Sequence, residues 1–330
     1  MLKVSGFNDW FYLQWHITDS CNLSCSHCYN ASVKAEPDIT RLSSVLDNFV
    51  SFLGRNRLKG RIHLCGGEPF RSKHLFFLLS EALKNSMPVR ILSNGTLITQ
   101  AIAKNLKSHS CETVQISVEG SESIHDSLRG PSSFCDAING AALLKENKVP
   151  VTFMMTVSKK NAAYIEDAAK LSEIHAKRLA FSRLVPIGLG ASMIKDMLTP
   201  VETKKIFRSF HSLKKKNKFE IPVRDPLWHA YFNKCNPHLI SGCSIGYNGI
   251  CVDTDGSVYP CRRLPIVIGN AYKDDLNDIW NSPLLETLRD RDKLKGKCRK
   301  CRLRWQCGGC RAVANAVSGD CLAEDPQCFM

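Results

Sequence analysis

The chain has 330 residues, 44% of them hydrophobic, and a formal net charge of +14. A chain of this length can bury one large core or two smaller ones. It contains no apolar run of about 18 residues and no signal-peptide layout at its start, so we expect a cytoplasmic protein with no membrane partner. The basic charge suits an acidic partner. The lysine-rich stretch at 214–218 lacks the interleaved aromatic residues of nucleic-acid binders, so we expect no nucleic acid.

Six short β-branched or apolar segments recur along the first part of the chain. They span residues 12–18, 61–65, 89–93, 113–118, 151–157 and 178–185. Helical periodicity lies between them. One predicted face holds Leu42, Val45, Leu46, Phe49, Val50 and Leu53, and the next holds Leu75, Leu78, Leu79, Ala82 and Leu83. Repeating strand–helix units predict an α/β fold with parallel strands, and six units predict an open, partial barrel.

Polar motifs follow each of the first four predicted strands. A cysteine loop follows the first, Gly66-Gly67-Glu68-Pro69 the second, and Ser93-Asn94-Gly95-Thr96 the third, while Ser117 and Glu119 end the fourth. Because the carboxyl ends of parallel barrel strands share one rim, these motifs are predicted to meet there. The cysteine loop spaces its thiols as Cys21-x3-Cys25-x2-Cys28. Three thiolates leave one metal position open.

The cysteine triplet together with the Gly-Gly-Glu-Pro loop resembles the radical S-adenosylmethionine (SAM) superfamily. The resemblance implies a partial (β/α)6 TIM barrel over residues 1–195. It also implies a [4Fe-4S] cluster on Cys21, Cys25 and Cys28, with the open iron chelated by SAM. The implied SAM-binding residues are Gly66, Gly67, Glu68, Pro69, Asn94, Ser117, Arg129 and Arg183. His27 is expected to shield the cluster, and Glu119 stands where the family usually has Asp.

The implied reaction is reductive cleavage of SAM to methionine and a 5′-deoxyadenosyl radical, which abstracts hydrogen from a substrate. The electron would come from a reductant such as flavodoxin or ferredoxin. No catalytic acid or base is identified by the sequence. Cys65, just before Gly66, is expected to lie close enough to the rim to be an acid or a hydrogen-atom donor, although packing at a strand end is the favoured interpretation.

Ten of the sixteen cysteines lie from Cys235 onward. In a reducing cytosol such spacing favours metal or redox chemistry over disulfides. After a helical bridge at 196–240, residues 241–330 resemble the SPASM domain, which carries two auxiliary iron–sulfur clusters. The resemblance implies that one cluster takes Cys243, Cys261 and Cys310, with Cys251 or Cys235 as a fourth ligand. The other takes Cys298, Cys301, Cys307 and Cys328, with Cys321 competing for the last place. A zinc ribbon is the alternative interpretation of the paired Cys-x2-Cys motifs.

The substrate is less clearly marked. Arg262 follows Cys261, where sulfatase-maturing relatives carry an acidic base, which argues against that activity. The leading hypothesis is a maturase that cross-links, epimerises or oxidises a ribosomally made peptide. Since the first site cysteine is Cys21, we expect no N-terminal leader-binding domain. A separate protein would then deliver the peptide, unless the barrel mouth binds it directly. The second hypothesis is an enzyme that modifies an acidic tetrapyrrole in heme d1 or alternative heme synthesis. The third is an inactive metal-binding scaffold.

Overall fold

The computed structural model describes residues 9–30, 34–216, 219–222, 225–232 and 242–330. Its strands are β1 (Trp10–His16), β2 (Lys59–Cys65), β3 (Val89–Ser93), β4 (Thr113–Ser117), β5 (Val151–Val157), β6 (Arg178–Arg183), β7 (Gly249–Val252), β8 (Ser257–Tyr259) and β9 (Gly269–Asn270). Its helices are α1 (Ile39–Asn56), α2 (Leu75–Lys84), α3 (Gln100–Ser108), α4 (Glu122–Arg129), α5 (Ser133–Glu146), α6 (Ile165–His175), α7 (Pro200–Lys216), α8 (Pro226–Phe232), α9 (Leu276–Trp280), α10 (Pro283–Arg289), α11 (Gly296–Lys300) and α12 (Arg311–Ser318).

The strands form one sheet in the order β6-β5-β4-β3-β2-β1-β7-β8-β9. Neighbours from β6 to β7 run parallel, whereas β7, β8 and β9 pair antiparallel. The six predicted strands are all present, and their ends differ from the prediction by two residues at most. The α/β class and the open, partial barrel are therefore confirmed.

Helix α1 shows why these helices pack on the sheet. The Asp38 side chain caps its first turn by accepting from the Arg41 amide at 2.8 Å. Its core face is the one predicted, except that Phe52 is buried and Val50 only half-buried. On α2 the prediction for Leu83 was wrong, because this side chain is 48% exposed at the last turn.

The C-terminal region joins the barrel sheet, which the sequence did not predict. Strand β7 pairs with β1, so β1 is flanked on both sides. Helix α9 packs on α1, and its Trp280 ring lies edge-on to Phe11 of β1, with the ring centroids 4.8 Å apart. A second small core forms beyond the sheet around Cys243, Ile245, Leu264, Leu285, Leu288 and Val313.

The bridge predicted at 196–240 is only partly described. The described residues of this bridge include the helices α7 and α8. Cys235, one of two candidates for a fourth cluster ligand, lies outside the described residues. Among the described helices, none has both the length and the apolar character needed to cross a bilayer.

Candidate active site at the carboxyl rim of the barrel

A cavity of about 380 Å³ opens where β1 to β6 end. Most of the residues predicted from the sequence line it together. These are Cys21, Cys25, Cys28, Gly66, Gly67, Asn94, Ser117, Arg129 and Arg183. Glu68 and Pro69 belong to the same loop but do not line the cavity. The sequence motifs from separate strands therefore converge on one site.

The cysteine loop presents three thiols to this cavity. Cys21 is exposed, and Cys25 and Cys28 are half-buried. Burial raises the pKa of Cys21 and Cys28, so their thiolates are disfavoured until a cation lies beside them. This donor set fits a thiolate-bound metal group with one position left for another ligand.

The two glycines of the Gly-Gly-Glu-Pro loop lie against the backbone that leads into the cysteine loop. The Gly67 amide donates to the Thr18 carbonyl at 2.8 Å, and the Glu68 amide donates to Ser20 at 2.9 Å. A Cβ on Gly66, whose φ is +148°, would lie 2.1 Å from the Thr18 oxygen. A Cβ on Gly67 would lie 2.5 Å from the Asp19 oxygen. Only glycine permits this close approach.

Glu68 is fully buried and supports the site from below. Its carboxylate accepts from the Asn94 amide at 2.7 Å and from Ser93 Oγ at 2.8 Å. Burial raises the pKa of Glu68 to about 7, against the lowering effect of these hydrogen bonds. Asn94 Nδ2 in turn donates to Asn22 Oδ1 at 2.9 Å, inside the cysteine loop. Glu68 thus fixes Asn94, and Asn94 fixes the loop.

Arg129 connects a buried carboxylate to the cysteine loop. Its Nη2 donates to Glu119 Oε1 at 2.6 Å, and its Nη1 donates to Cys25 Sγ at 3.7 Å. His27 Nε2 lies 3.4 Å from the same Glu119 oxygen. Burial, together with the Arg129 charge, lowers the pKa of His27 to about 4 against the opposing effect of Glu119, so the ring is neutral near pH 7. His27 lines the same cavity as the three thiols.

Arg183 is engaged differently from the sequence expectation. Its Nε and Nη2 donate to Asp225, its two Nη atoms donate to Asp325, and its Nη1 also donates to Gln327. These contacts use the whole guanidinium fork. Although Arg183 lines the cavity, it has no free N–H group to offer a SAM carboxylate, and its contacts join the barrel to the C-terminal tail.

Sequence reasoning missed the segment that covers the cysteine loop from the β6 side. The Gly190 amide donates to the Cys28 carbonyl at 3.1 Å. A Cβ on Gly188, at φ +59°, would lie 2.3 Å from the Tyr29 oxygen. The sequence Gly188-Leu189-Gly190 could have indicated this segment, because two glycines so close together permit close contact with another stretch of backbone.

Two adjacent arginines also enter the cavity. Arg262 lies over the Tyr29 ring, with its guanidinium carbon 5.4 Å from the ring centroid. Arg263 donates from Nη1 to the Arg183 carbonyl at 3.3 Å, and its buried Nε has no partner. Within the described parts of the chain, neither guanidinium forms an ion pair with a carboxylate. Both are half-buried positive charges at the rim.

The tail cysteines surround two further cavities. One, of about 50 Å³, is lined by Cys298, Cys301, Cys307 and Cys328. Cys321 is buried elsewhere and does not line it. The other, of about 260 Å³, is lined by Cys251 and Cys261. Cys243 and Cys310 pack with Cys261 in the small second core. One cavity therefore brings together Cys298, Cys301, Cys307 and Cys328, whereas Cys243 and Cys310 are not among the residues that line the cavity of Cys251 and Cys261.

Two fully buried arginines flank the loop that joins these groupings. Arg311 Nη2 donates to Cys298 Sγ at 3.7 Å, and Arg291 Nη2 donates to the Cys243 carbonyl at 2.8 Å. A Cβ on Gly308 would lie 2.3 Å from Arg291 Nη1. Across the described residues, no carboxylate forms an ion pair with either guanidinium. Buried cations of this kind suit a negatively charged, thiolate-bound group.

Two family models match the chain. The model described as the radical SAM superfamily covers residues 15–172, and the model described as an iron–sulfur cluster-binding domain (SPASM) covers residues 243–302. The chain belongs to the radical SAM superfamily and carries a SPASM domain. Radical SAM and SPASM domains use SAM and [4Fe-4S] clusters, so these are its cofactors. Cys307, Cys310 and Cys328 lie beyond the part matched by the SPASM model.

Curated relatives of this radical SAM enzyme have different substrates. An AdoMet-dependent heme synthase of Methanosarcina barkeri is 29% identical, with 96% of this chain and 95% of the relative covered. The mycofactocin maturase MftC of Mycobacterium ulcerans is 27% identical, with 96% and 87% covered. These relatives support the enzyme class and leave the substrate open.

Solved structures agree on the fold. Native anSMEcpe with bound AdoMet has a TM-score of 0.75 at 22% identity, with 96% of this chain and 93% of that chain covered. Streptococcus suis SuiB bound to precursor peptide SuiA has a TM-score of 0.81 at 17% identity, with 99% and 78% covered. Over nearly its whole length, this chain therefore has the same fold as these solved structures.

Proposed function

We propose that this radical SAM/SPASM enzyme modifies a tetrapyrrole that bears several carboxylates, in a heme-forming reaction. The proposal depends chiefly on Arg262 and Arg263, which enter the rim cavity without carboxylate partners among the described residues. Arginine forks pair with carboxylates through charge-assisted hydrogen bonds. The curated heme synthase relative supports the same substrate class, because it matches this chain along 95% of its own length.

The residues proposed to hold the cofactors follow from the donor sets. Cys21, Cys25 and Cys28 would hold the SAM-binding cluster. Cys298, Cys301, Cys307 and Cys328 would hold one auxiliary cluster, and Cys243, Cys251, Cys261 and Cys310 the other. When bound, the cluster at Cys21, Cys25 and Cys28 would supply the electron that cleaves SAM to methionine and a 5′-deoxyadenosyl radical, and this radical would remove a hydrogen atom from the substrate.

The chain's own residues would position SAM and exclude water. Gly66 and Gly67 present backbone at the cavity, and Asn94 and Ser117 offer polar side chains to SAM. Glu68, Pro69 and Arg129 would act as the scaffold for these groups. Arg183 is left out of the proposed SAM contacts, because its donors are already taken. Leu184, Val185 and Leu189 supply an apolar side of the cavity.

Peptide maturation is the second candidate. The mycofactocin maturase relative and the subtilosin biosynthesis protein AlbA of Bacillus subtilis, each 27% identical, favour it. The same two arginines would then bind acidic side chains of the peptide. A separate delivery protein remains part of this second proposal.

The experiment compares the two substrate classes directly. Anaerobically reconstituted enzyme, SAM and reduced flavodoxin are incubated either with iron coproporphyrin III or with a peptide encoded beside the gene. Mass spectrometry then measures 5′-deoxyadenosine and the tetrapyrrole or peptide products. We expect a tetrapyrrole of altered mass, formed with 5′-deoxyadenosine. Cross-linked, epimerised or oxidised product from a peptide encoded beside the gene, with no change in the tetrapyrrole, would contradict the first proposal and support the second.

Charge-removing variants test the role of the arginines. Arg262→Gln and Arg263→Gln should each raise the KM for the tetrapyrrole about tenfold, since each removes a hydrogen bond to a charged group. Arg208→Gln, on the exposed side of α7, is the matched control and should leave that KM unchanged. If the Arg262 variant loses iron but keeps its affinity for the substrate, the Arg262 charge instead stabilises the metal group held by the neighbouring thiols.

A further inference from the structure

The segment that carries Cys298 and Cys301 is also the most basic part of the chain. Seven of the twelve residues from 293 to 304 are Lys or Arg, and none is acidic. They are Lys293, Lys295, Lys297, Arg299, Lys300, Arg302 and Arg304. All except Arg304 are exposed, and we call this set the basic face.

Only part of this charge is neutralised within the protein. Lys295 pairs with Asp320, Lys297 lies 3.8 Å from Glu324, and Arg304 pairs with Asp292. Among the residues that the structure describes, the other four cations form no ion pair. Trp305 borders the basic face and is 40% exposed. Trp and Arg are enriched in protein interfaces, and a surface of one charge sign attracts a partner of the opposite sign.

The basic face lies directly over the cavity of four thiols. Lys297 and Arg304 line that cavity with Cys298, Cys301, Cys307 and Cys328, and the Lys297 side chain is 64% exposed. Cys301 and Cys328 are themselves only half-buried, so this group of thiols lies close to solvent. Electron transfer between proteins requires such short separations, and its transient encounters use small, charge-matched contacts.

We propose that the basic face is the docking surface for a small acidic one-electron carrier protein of the flavodoxin type. The proposal goes beyond the proposed function and rests on the iron–sulfur cluster assigned to Cys298, Cys301, Cys307 and Cys328. One electron passes from the reduced iron–sulfur group to the oxidised carrier, whose flavin becomes the semiquinone. The cluster loses this electron and is thereby oxidised, the flavin semiquinone takes up one proton from solvent, and no covalent bond forms between the proteins.

Charge reversal at Lys300 and Arg302 provides the test. Both are exposed, neither is a proposed cluster ligand, and neither forms an ion pair within the described chain. The control reverses Lys104 and Lys107, two exposed cations on α3, and changes the net charge equally. Holoenzyme of each variant is titrated with oxidised flavodoxin by calorimetry, and electron transfer from dithionite-reduced, desalted enzyme is followed by stopped flow.

We expect Lys300→Glu with Arg302→Glu to weaken flavodoxin binding about tenfold or more, to slow electron transfer, and to flatten its salt dependence. The Lys104→Glu, Lys107→Glu control should stay close to the parent enzyme. Equal weakening of flavodoxin binding in both variants would overturn the proposal, because the loss would then depend only on the net charge of the protein and not on the basic face. So would binding of an acidic peptide or an oligonucleotide to the basic face while flavodoxin binding is unchanged.

Two measurements keep the outcome clear. Iron is counted in every variant, and if the double variant loses iron, Lys293→Glu replaces it, since Lys293 lies farther from the thiols in the chain. Tetrapyrrole turnover with dithionite as the reductant is measured in parallel. If the variants keep their turnover and bind flavodoxin as tightly as the parent enzyme does, the docking proposal alone is wrong. If the parent enzyme shows no turnover of the tetrapyrrole, the proposed function is wrong.

Discussion

Arg183 at the end of β6 binds Asp325 in the C-terminal tail through two hydrogen bonds, of 3.1 Å from Nη1 and 2.9 Å from Nη2. Both side chains are almost fully buried. Asp325 Oδ2 also accepts from the Cys310 amide at 2.9 Å. The tail that carries the last cysteines is therefore held on the barrel by a buried ion pair.

Breaking this pair should be costly. Arg183→Met leaves Asp225 and Asp325 buried without their cation, so we expect the free energy of unfolding to fall by about 3–5 kcal/mol. Anaerobic urea unfolding followed by circular dichroism measures the change. Glu220→Gln, which breaks the exposed pair between Arg178 and Glu220, is the control and should cost at most about 1 kcal/mol. Similar losses of unfolding free energy in both variants would argue that the buried pair does not hold the tail on the barrel.

Iron counts should separate Cys328 from Cys321. Cys301→Ser and Cys328→Ser should each lower the iron content by about four atoms per chain, because both thiols line one cavity. Cys321→Ser should retain the parent iron content, since Cys321 packs away from that cavity. A Cys321 variant that loses iron while the Cys328 variant keeps it would reverse the assignment.

Gly66→Ala should disable the SAM site. The added methyl group would meet the Thr18 carbonyl, and the residue would remain at a φ of +148° that alanine disfavours. We expect SAM affinity, measured anaerobically by calorimetry, to fall about tenfold or more as the loop moves away. Gly54→Ala in α1 is the matched control. It has nothing within 4 Å of the new Cβ and should raise stability by about 0.5–1 kcal/mol. Parent-like SAM binding in the Gly66 variant would show that the loop tolerates a side chain.

The charge cluster around Glu112 predicts how stability depends on pH. Burial alone would raise the pKa of Glu112, but hydrogen bonds from Arg90 and the charges of Arg90 and Arg61 outweigh burial and lower it. A carboxyl group with a lowered pKa in the folded state stabilises the protein above its unfolded pKa, and this stabilisation is lost as pH falls. Glu112→Gln should therefore lower stability by about 1 kcal/mol near pH 7 and less in acid. Unfolding midpoints at several pH values measure this difference. A constant difference across that range would contradict it.

The sequence predicted the fold and the meeting of motifs at one rim because both follow from local patterns. Strand periodicity located β1 to β6, and parallel strands bring Cys21, Gly66, Asn94 and Ser117 to the same edge. The pairing of β7 with β1 was missed because it depends on a contact far along the chain. The ion pair of Arg183 with the C-terminal tail was missed for the same reason, since nothing in the sequence around β6 marks Asp325 as its partner.

The position of β1 between β2 and β7 has a consequence for biogenesis. The strand that leads into the first cysteine loop gains its second neighbour only after residue 249 has been synthesised. About three-quarters of the chain must therefore be translated before that edge can be closed. One edge of β1, the strand next to the first cysteine loop, consequently stays without its β7 partner through most of translation.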